Sequence, residues 1–237
     1  MDFMECTFDI KVWIKNFEER LVENFGSRLV FLGLQGSYGR GESTPESDID
    51  VVVILDAVSF DDLKVYRSMI DSMECHERIC GFVSGVDELH NWEKSDLLSL
   101  VLDTVPIIGS LDNLRKLISE EDIRRAVLTG ACNLYHACSH NFLHARSYES
   151  LVALYKMARF TVRLKHLYST GIYVPSMASL EKTVVSHDKT IMEIAKKIKA
   201  CDDTESFEHF SSVLMEWASD VIRTCLNLFI ISCKSVG

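Results

Sequence analysis

No segment of this chain is apolar for long enough to span a bilayer. The two longest candidates, 97–105 and 221–231, fit buried helices instead. Positive charge is also in short supply: 25 Lys and Arg stand against 35 Asp and Glu, a formal net charge of -10. A surface of that sign repels polyanions, and non-specific nucleic-acid binding needs a basic one, so neither nucleic acid nor membrane is an expected partner. The eight cysteines include no Cys-x-x-Cys pair and several lie in apolar helical patterns. They read as reduced, mostly buried thiols of a cytoplasmic protein. The N-terminal residues lack the basic-then-apolar order of a secretory signal. Internal repeats and low-complexity tracts are missing too. What is present is ample core material: 47% of the 237 residues are hydrophobic, which excludes a disordered chain and suits one large or two modest domains.

Apolar spacing divides the chain in two. Ile10, Trp13, Ile14, Phe17, Leu21 and Phe25 recur at helical spacing, with Gly26 as a stop. Strands are expected at 29–34, 49–55, 78–83 and 105–108. Ser59 ahead of Asp61-Asp62 marks a helix start, and 86–102 reads as mostly helical. After residue 111 strand signals stop. Helices are expected at 123–144, 151–168 (closed by Gly171), 177–185, 190–200 and 207–232. Only three prolines occur, and Pro175 alone falls in this half, in a loop. The order predicts an α+β fold: a small mixed-sheet domain, 1–115, followed by an all-α helical bundle domain, 116–237.

The chemistry-bearing segment lies between the first two strands. Gly36-Ser37 is followed by ten residues and then by Asp48-Ile49-Asp50. Residues i and i+2 of a strand share a face, so Asp48 and Asp50 project side by side, with Val51, Val53 and Leu55 anchoring the strand. Two carboxylates that close repel unless a cation sits between them. Hard oxygen ligands with room for water and phosphate suit Mg²⁺, or Mn²⁺. Glycines let backbone N–H groups approach an anion. Together these features predict a metal–triphosphate site.

The same residues resemble the signature of the DNA polymerase beta-like nucleotidyltransferase superfamily, Gly-Ser, about ten residues, Asp-x-Asp. Gly39-Arg40-Gly41 and Ser47 add a likeness to its minimal and aminoglycoside-type members. A looser likeness covers residues 155–176, where a long helix with an internal Lys and then Gly-x-Tyr-x-x-Ser is similar to the helical domain of kanamycin-type enzymes. The resemblance implies transfer of a nucleoside monophosphate, in the first place AMP, from an NTP to a hydroxyl of a small molecule or protein. It assigns metal binding to Asp48 and Asp50, and contact with the β- and γ-phosphates to Gly36 and Ser37. Arg40 would neutralise phosphate, or remain a solvated loop arginine.

The family supplies a third carboxylate from the next strand, and here the sequence departs. Laying that strand on residues 77–83 puts Cys80 at the acidic position. Glu77 is three residues earlier and out of phase, and Asp87 and Glu88 follow the strand. Kanamycin-type enzymes place a general base in the helical domain. Glu149 is its analogue by distance along the chain, unless it is a solvated helix-start residue. Lys156, deeper in the same helix, would touch phosphate, or cover apolar neighbours as a surface lysine.

Two further patterns stand apart. Cys132, His136, His140 and His144 are spaced by four, with Cys138 between. They form a stripe that suits Zn²⁺ chemically but lacks a second ligand segment, and packed or polar helix residues give the same pattern. Arg159 and His166 match the Arg-x₆-His spacing of HEPN ribonucleases. The expected partners are an NTP and an acceptor that the sequence does not name, with a homodimer admitted. Two rivals share the fold: a nucleotide-binding regulatory protein in which Cys80 marks lost catalysis, and an interaction protein of toxin–antitoxin type.

Overall fold

The computed structural model describes residues 8–200 and 203–225, and the chain divides into two compact units, 1–117 and 118–237. The first unit opens with helix α1, Ile10–Phe25. Asp9 caps its N-terminus by accepting from Lys11 N, and Gly26 ends it at φ +54°, a conformation glycine adopts without steric cost. Strand β1, Leu29–Leu34, leads through the five-residue helix α2, Gly36–Arg40, to strand β2, Ile49–Leu55. Helix α3, Phe60–Asp71, begins in a capping box in which the Ser59 side chain and Asp62 serve each other's backbone N–H groups. Strand β3, Ile79–Gly85, is followed by α4, Val86–Asn91, and α5, Lys94–Asp103. Strand β4, Val105–Ile108, and the short α6, Asp112–Arg115, complete the unit. The mostly helical stretch expected over 86–102 is two helices, broken at Trp92, whose extended ψ of 151° interrupts the ladder.

The sheet order is β3-β2-β1-β4. β1 is antiparallel to β2 and β4, and β2 is parallel to β3 through the α3 crossover, so the sheet is mixed, as the sequence led us to expect. One face is apolar. Trp13, Phe17, Leu21 and Phe25 of α1 pack with Leu32, Val51, Val53, Met69 and Met73 in a single buried cluster. The Trp13 and Phe17 rings stack with centroids 5.1 Å apart, and the Trp13 indole N–H donates to the Glu74 carbonyl. Arg28 pairs with Asp62 at 2.6 Å and with Asp56 at 3.0 Å, which holds the Asp62 carboxyl far below the usual carboxylate range.

The second unit is helical: α7, Glu120–His140; α8, Tyr148–Thr170; α9, Met177–Thr183; α10, Ser186–Lys197; and α11, Thr204–Thr224. The part of the last expected helix beyond residue 225 lies outside the described residues. Its core joins Leu134, Leu151, Tyr155, Leu180, Leu214 and Trp217, all nearly or fully buried. Polar atoms inside it find partners. The Tyr155 hydroxyl donates to the Phe210 carbonyl at 2.9 Å, and the Cys138 thiol donates to the Ser211 carbonyl at 3.3 Å. Burial raises the Cys138 thiol to about 11. Asp188 accepts from both Lys165 and the Trp217 indole, which ties α8, α10 and α11 together. Gly171 closes α8 at φ +72°. The Gly-x-Tyr-x-x-Ser run after it has a structural task here. The buried Arg163 donates to the Pro175 carbonyl and lies 5.3 Å from the Tyr173 ring, and Ser176 caps α9. Among the described residues, no helix is long and apolar enough to cross a membrane.

Candidate active site

The two aspartates stand where β2 begins. Asp48 is exposed and directly precedes the strand; Asp50 is its second residue and half-buried. Ile49, between them, is fully buried, and within the strand the alternation sends Asp50 to the opposite face; Asp48 adjoins it just ahead of the strand. The loop is joined to this strand by backbone: Gln35 N donates to the Asp50 carbonyl at 2.8 Å. Gly36 then turns at φ +65° directly beneath the Asp50 side chain. A Cβ on Gly36 would overlap the Asp50 carboxylate oxygen and come within 2.9 Å of its Cγ. Only glycine fits there, on two counts: the left-handed backbone and the lack of space. Gly36 and Ser37 open α2, whose first N–H groups have no acceptor within the helix. The Asp50 carboxylate and the Gly36-Ser37 turn, both singled out in the sequence, are therefore neighbours in space.

Arg40 is at the other end of α2. Its guanidinium contacts Asp103 at 2.5 Å and Glu42 at 3.3 Å, and the arginine and Asp103 side chains are only 11% and 6% exposed. Its charge is thus countered within the protein, where it pins α2 to the end of α5. Gly39 lets α2 sit against β1, since a Cβ there would be 2.6 Å from the Leu34 carbonyl oxygen.

The third acidic position is a thiol. β3 pairs with β2 so that Cys80 is the partner of Asp50, and aligned residues of a parallel pair share a face. Cys80 is exposed beside the carboxylates. The neighbouring acids are elsewhere. Glu77 lies in a 3-10 turn ahead of the strand, exposed and 3.7 Å from His76. Asp87 and Glu88 belong to α4, beyond the far end of β3, and the Glu88 carboxylate rests against Gly85. Gly85 pairs with Leu55, five residues along the ladder from the Cys80–Asp50 pair, or about 16 Å at strand rise. Neither acid leans back to the aspartates. Consistently, no group of three or more His, Cys, Asp or Glu side chains is placed to hold a metal among the described residues.

The histidine stripe, left open between zinc and packed or polar helix residues, is not gathered into such a group either. His136, His140 and His144 are exposed, with successive ring centroids 6.3 and 5.0 Å apart. Cys138 points the other way, into the core, and Cys132 is exposed a turn earlier. The helix expected to reach residue 144 changes to a wider π turn over Asn141–Ala145, which carries His144. Glu149 and Lys156 belong to the second unit. Both are exposed and, seven residues apart, they share one side of α8. Arg159 and His166 are half-buried on the same helix.

Sequence reasoning missed one residue beside the site. Arg78 donates through Nε and Nη2 to the Ser47 carbonyl at 3.2 and 2.8 Å, and through Nη2 to the Tyr38 hydroxyl at 2.6 Å. Its partners are 31 and 40 residues away in sequence, and no local pattern announces them.

Residues 14–127 match the family model described as nucleotidyltransferase domain. No curated protein matches the chain. Among solved structures, spectinomycin adenyltransferase AAD(9) from Enterococcus faecialis, with ATP and spectinomycin, is similar in fold. The TM-score is 0.53 at 14% identity, over 87% of this chain and 99% of that one.

Proposed function

We propose that this chain, which carries a nucleotidyltransferase domain over residues 14–127, transfers a nucleoside monophosphate, AMP in the first instance, from an NTP to a hydroxyl of a small molecule or protein. The observation that carries the reading is the seating of the Asp50 carboxylate on Gly36, which puts a hard oxygen donor beside a left-handed glycine turn. In the reaction the acceptor oxygen bonds to the α-phosphorus, the bond to the bridging oxygen of the β-phosphate breaks, and pyrophosphate leaves. Asp48 and Asp50 offer hard oxygen donors, a set that fits Mg²⁺ or Mn²⁺ completed by water and phosphate. A divalent cation held there would offset charge developing on the phosphate oxygens. Backbone N–H groups and the hydroxyl at Gly36-Ser37 orient the β- and γ-phosphates. The acceptor proton goes to Glu149, and Lys156 contacts phosphate; both assignments rest on the kanamycin-type resemblance. The similar adenyltransferase, described with ATP and spectinomycin, supports an adenylyl donor and a small-molecule acceptor. A cytoplasmic setting suits the reading, because five described cysteines are free thiols.

Calorimetry with ATP, with and without Mg²⁺, tests the site. Pyrophosphate release across a panel of hydroxylated and aminocyclitol acceptors tests the reaction. Cys80 in register with Asp50 favours one alternative, a nucleotide-binding protein without transfer. Mg²⁺-dependent ATP binding with no pyrophosphate release from any acceptor would select that alternative. Loss of release in Glu149→Gln, with ATP affinity unchanged, would support the assigned base.

A further inference from the structure

We infer that Arg78 is a positioning residue that holds the Asp48 carboxylate and the Gly36-Ser37 turn in one geometry; this rests on the metal–triphosphate reading of that site. Asp48 lies outside the β2 ladder, so strand pairing does not orient it. Its own peptide unit does. The Ser47 carbonyl and the Asp48 N–H belong to one planar group, and fixing the oxygen fixes the plane from which Asp48 departs. Arg78 grips that oxygen with two donors, at 3.2 and 2.8 Å. On the other side the Thr44-Pro45-Glu46-Ser47 turn is closed by Ser47 N donating to the Thr44 carbonyl, and by the Ser47 hydroxyl accepting from Thr44 N.

The same guanidinium reaches α2. Nη2 donates at 2.6 Å to the hydroxyl of Tyr38, the residue after Ser37. One rigid, planar cation therefore spans the two arms of the loop, one next to the phosphate turn and one next to the first metal ligand. The guanidinium carbon lies 4.6 Å from the Phe8 ring centroid and 6.0 Å from that of Tyr38, and these faces help hold its plane. A lysine could not reproduce this, because a point charge lacks the fork of donors.

The test uses the full chain, Mn²⁺ and a non-hydrolysable ATP analogue, with calorimetry read at increasing Mn²⁺ and melting recorded alongside. Arg78→Met should raise the half-saturating Mn²⁺ concentration by about tenfold or more in the folded protein, the scale of lost charge-assisted hydrogen bonds. Arg78→Lys should recover only part of that loss. Tyr38→Phe keeps the ring against Phe8 and removes one arm, and should shift half-saturation by about threefold. If Arg78→Met does not fold, the Lys and Phe variants decide on the same readout. Lower melting temperatures with unchanged half-saturating Mn²⁺ would make Arg78 merely structural and overturn the inference while leaving the site intact. Wild-type protein that does not bind the analogue at any Mn²⁺ concentration would overturn both the inference and the reading beneath it.

Discussion

Two rows of metal-suited side chains run along the described residues, and a second backbone element is seated against a side chain of the first. Asp48 and Asp50 are two apart at the start of a strand; His136, His140 and His144 are four apart along a helix and its terminal turn. Each spacing matches the period of its element. The aspartates gain a second element, because the β1–β2 connection folds back until Gly36 lies under Asp50. The histidines are exposed along α7 and its terminal π turn, and although Ser150, Ala153 and Leu154 of α8 border His136 and His140, no metal-suited group of three forms there among the described residues. Periodicity places residues on a face. A site also needs a second backbone that arrives there, and a residue too small to keep it away.

The aspartates should show the largest effect. Asp48→Asn or Asp50→Asn is expected to abolish Mg²⁺-dependent ATP binding while the protein stays folded, because one hard anionic ligand is lost and the apo-state repulsion is relieved. Unchanged affinity in both variants, measured by calorimetry with Mg²⁺, would put the aspartates on the same footing as the histidines.

Cys80 sharpens the comparison next, since it sits in register with Asp50 but brings a thiol. In a Glu149→Gln background, where the assigned base is removed, Cys80→Asp should raise pyrophosphate release by about 10²–10⁴-fold with a competent acceptor, the usual worth of a well-placed general base. Cys80→Ala should stay near wild type. A folded but inactive Cys80→Ala would instead give the thiol a direct role.

Gly36→Ala attacks the junction itself. The added methyl meets the Asp50 carboxylate, and the residue must also keep φ near +65°. We expect about 1–3 kcal/mol of lost stability and roughly tenfold or more weaker ATP binding. A melting curve and an affinity both equal to wild type would mean that the loop and β2 are not in contact. Ser37→Ala should be milder, about 1–2 kcal/mol of triphosphate binding for one lost donor to a charged oxygen. AMP affinity should hardly change, and an equal loss for AMP and ATP would move Ser37 from the phosphates to the nucleoside.

What could be read in advance divides along the same line. Gly26, Ser59 and Gly171 act on neighbours within a few residues, so the helix ends they mark were legible. Apolar runs likewise marked all four strands, β3 two residues short of its end, and the two-residue step singled out the aspartates. The break at Trp92 carries no proline or glycine and was invisible. So were the long-range polar contacts. Arg40 finds Asp103 across 63 residues, Arg78 finds Tyr38 across 40, and Lys165 and Trp217 meet on Asp188. Such contacts depend on how elements pack, and no local spacing encodes them. For that reason Arg40 read as either a phosphate contact or a solvated loop arginine, with its two carboxylate partners unforeseen, and Arg78 was not noticed.

The smallest effect should come from the histidines, and it tests the comparison from its weak side. A His pair at i, i+4 on one exposed helix offers two neutral nitrogen donors, whereas structural zinc takes four ligands and catalytic zinc three. Here the nearest cysteine along the helix is turned into the core and held by the Ser211 carbonyl, its thiol kept protonated up to about 11. It would have to leave the core and ionise to bind a metal. His140→Ala and His144→Ala should therefore leave ATP affinity and melting temperature near wild type, and Zn²⁺ should raise the melting temperature of neither variant nor the parent. If Zn²⁺ stabilises the parent and His140→Ala removes that gain, a second ligand segment reaches the stripe, and spacing on a single helix signalled more than this structure shows.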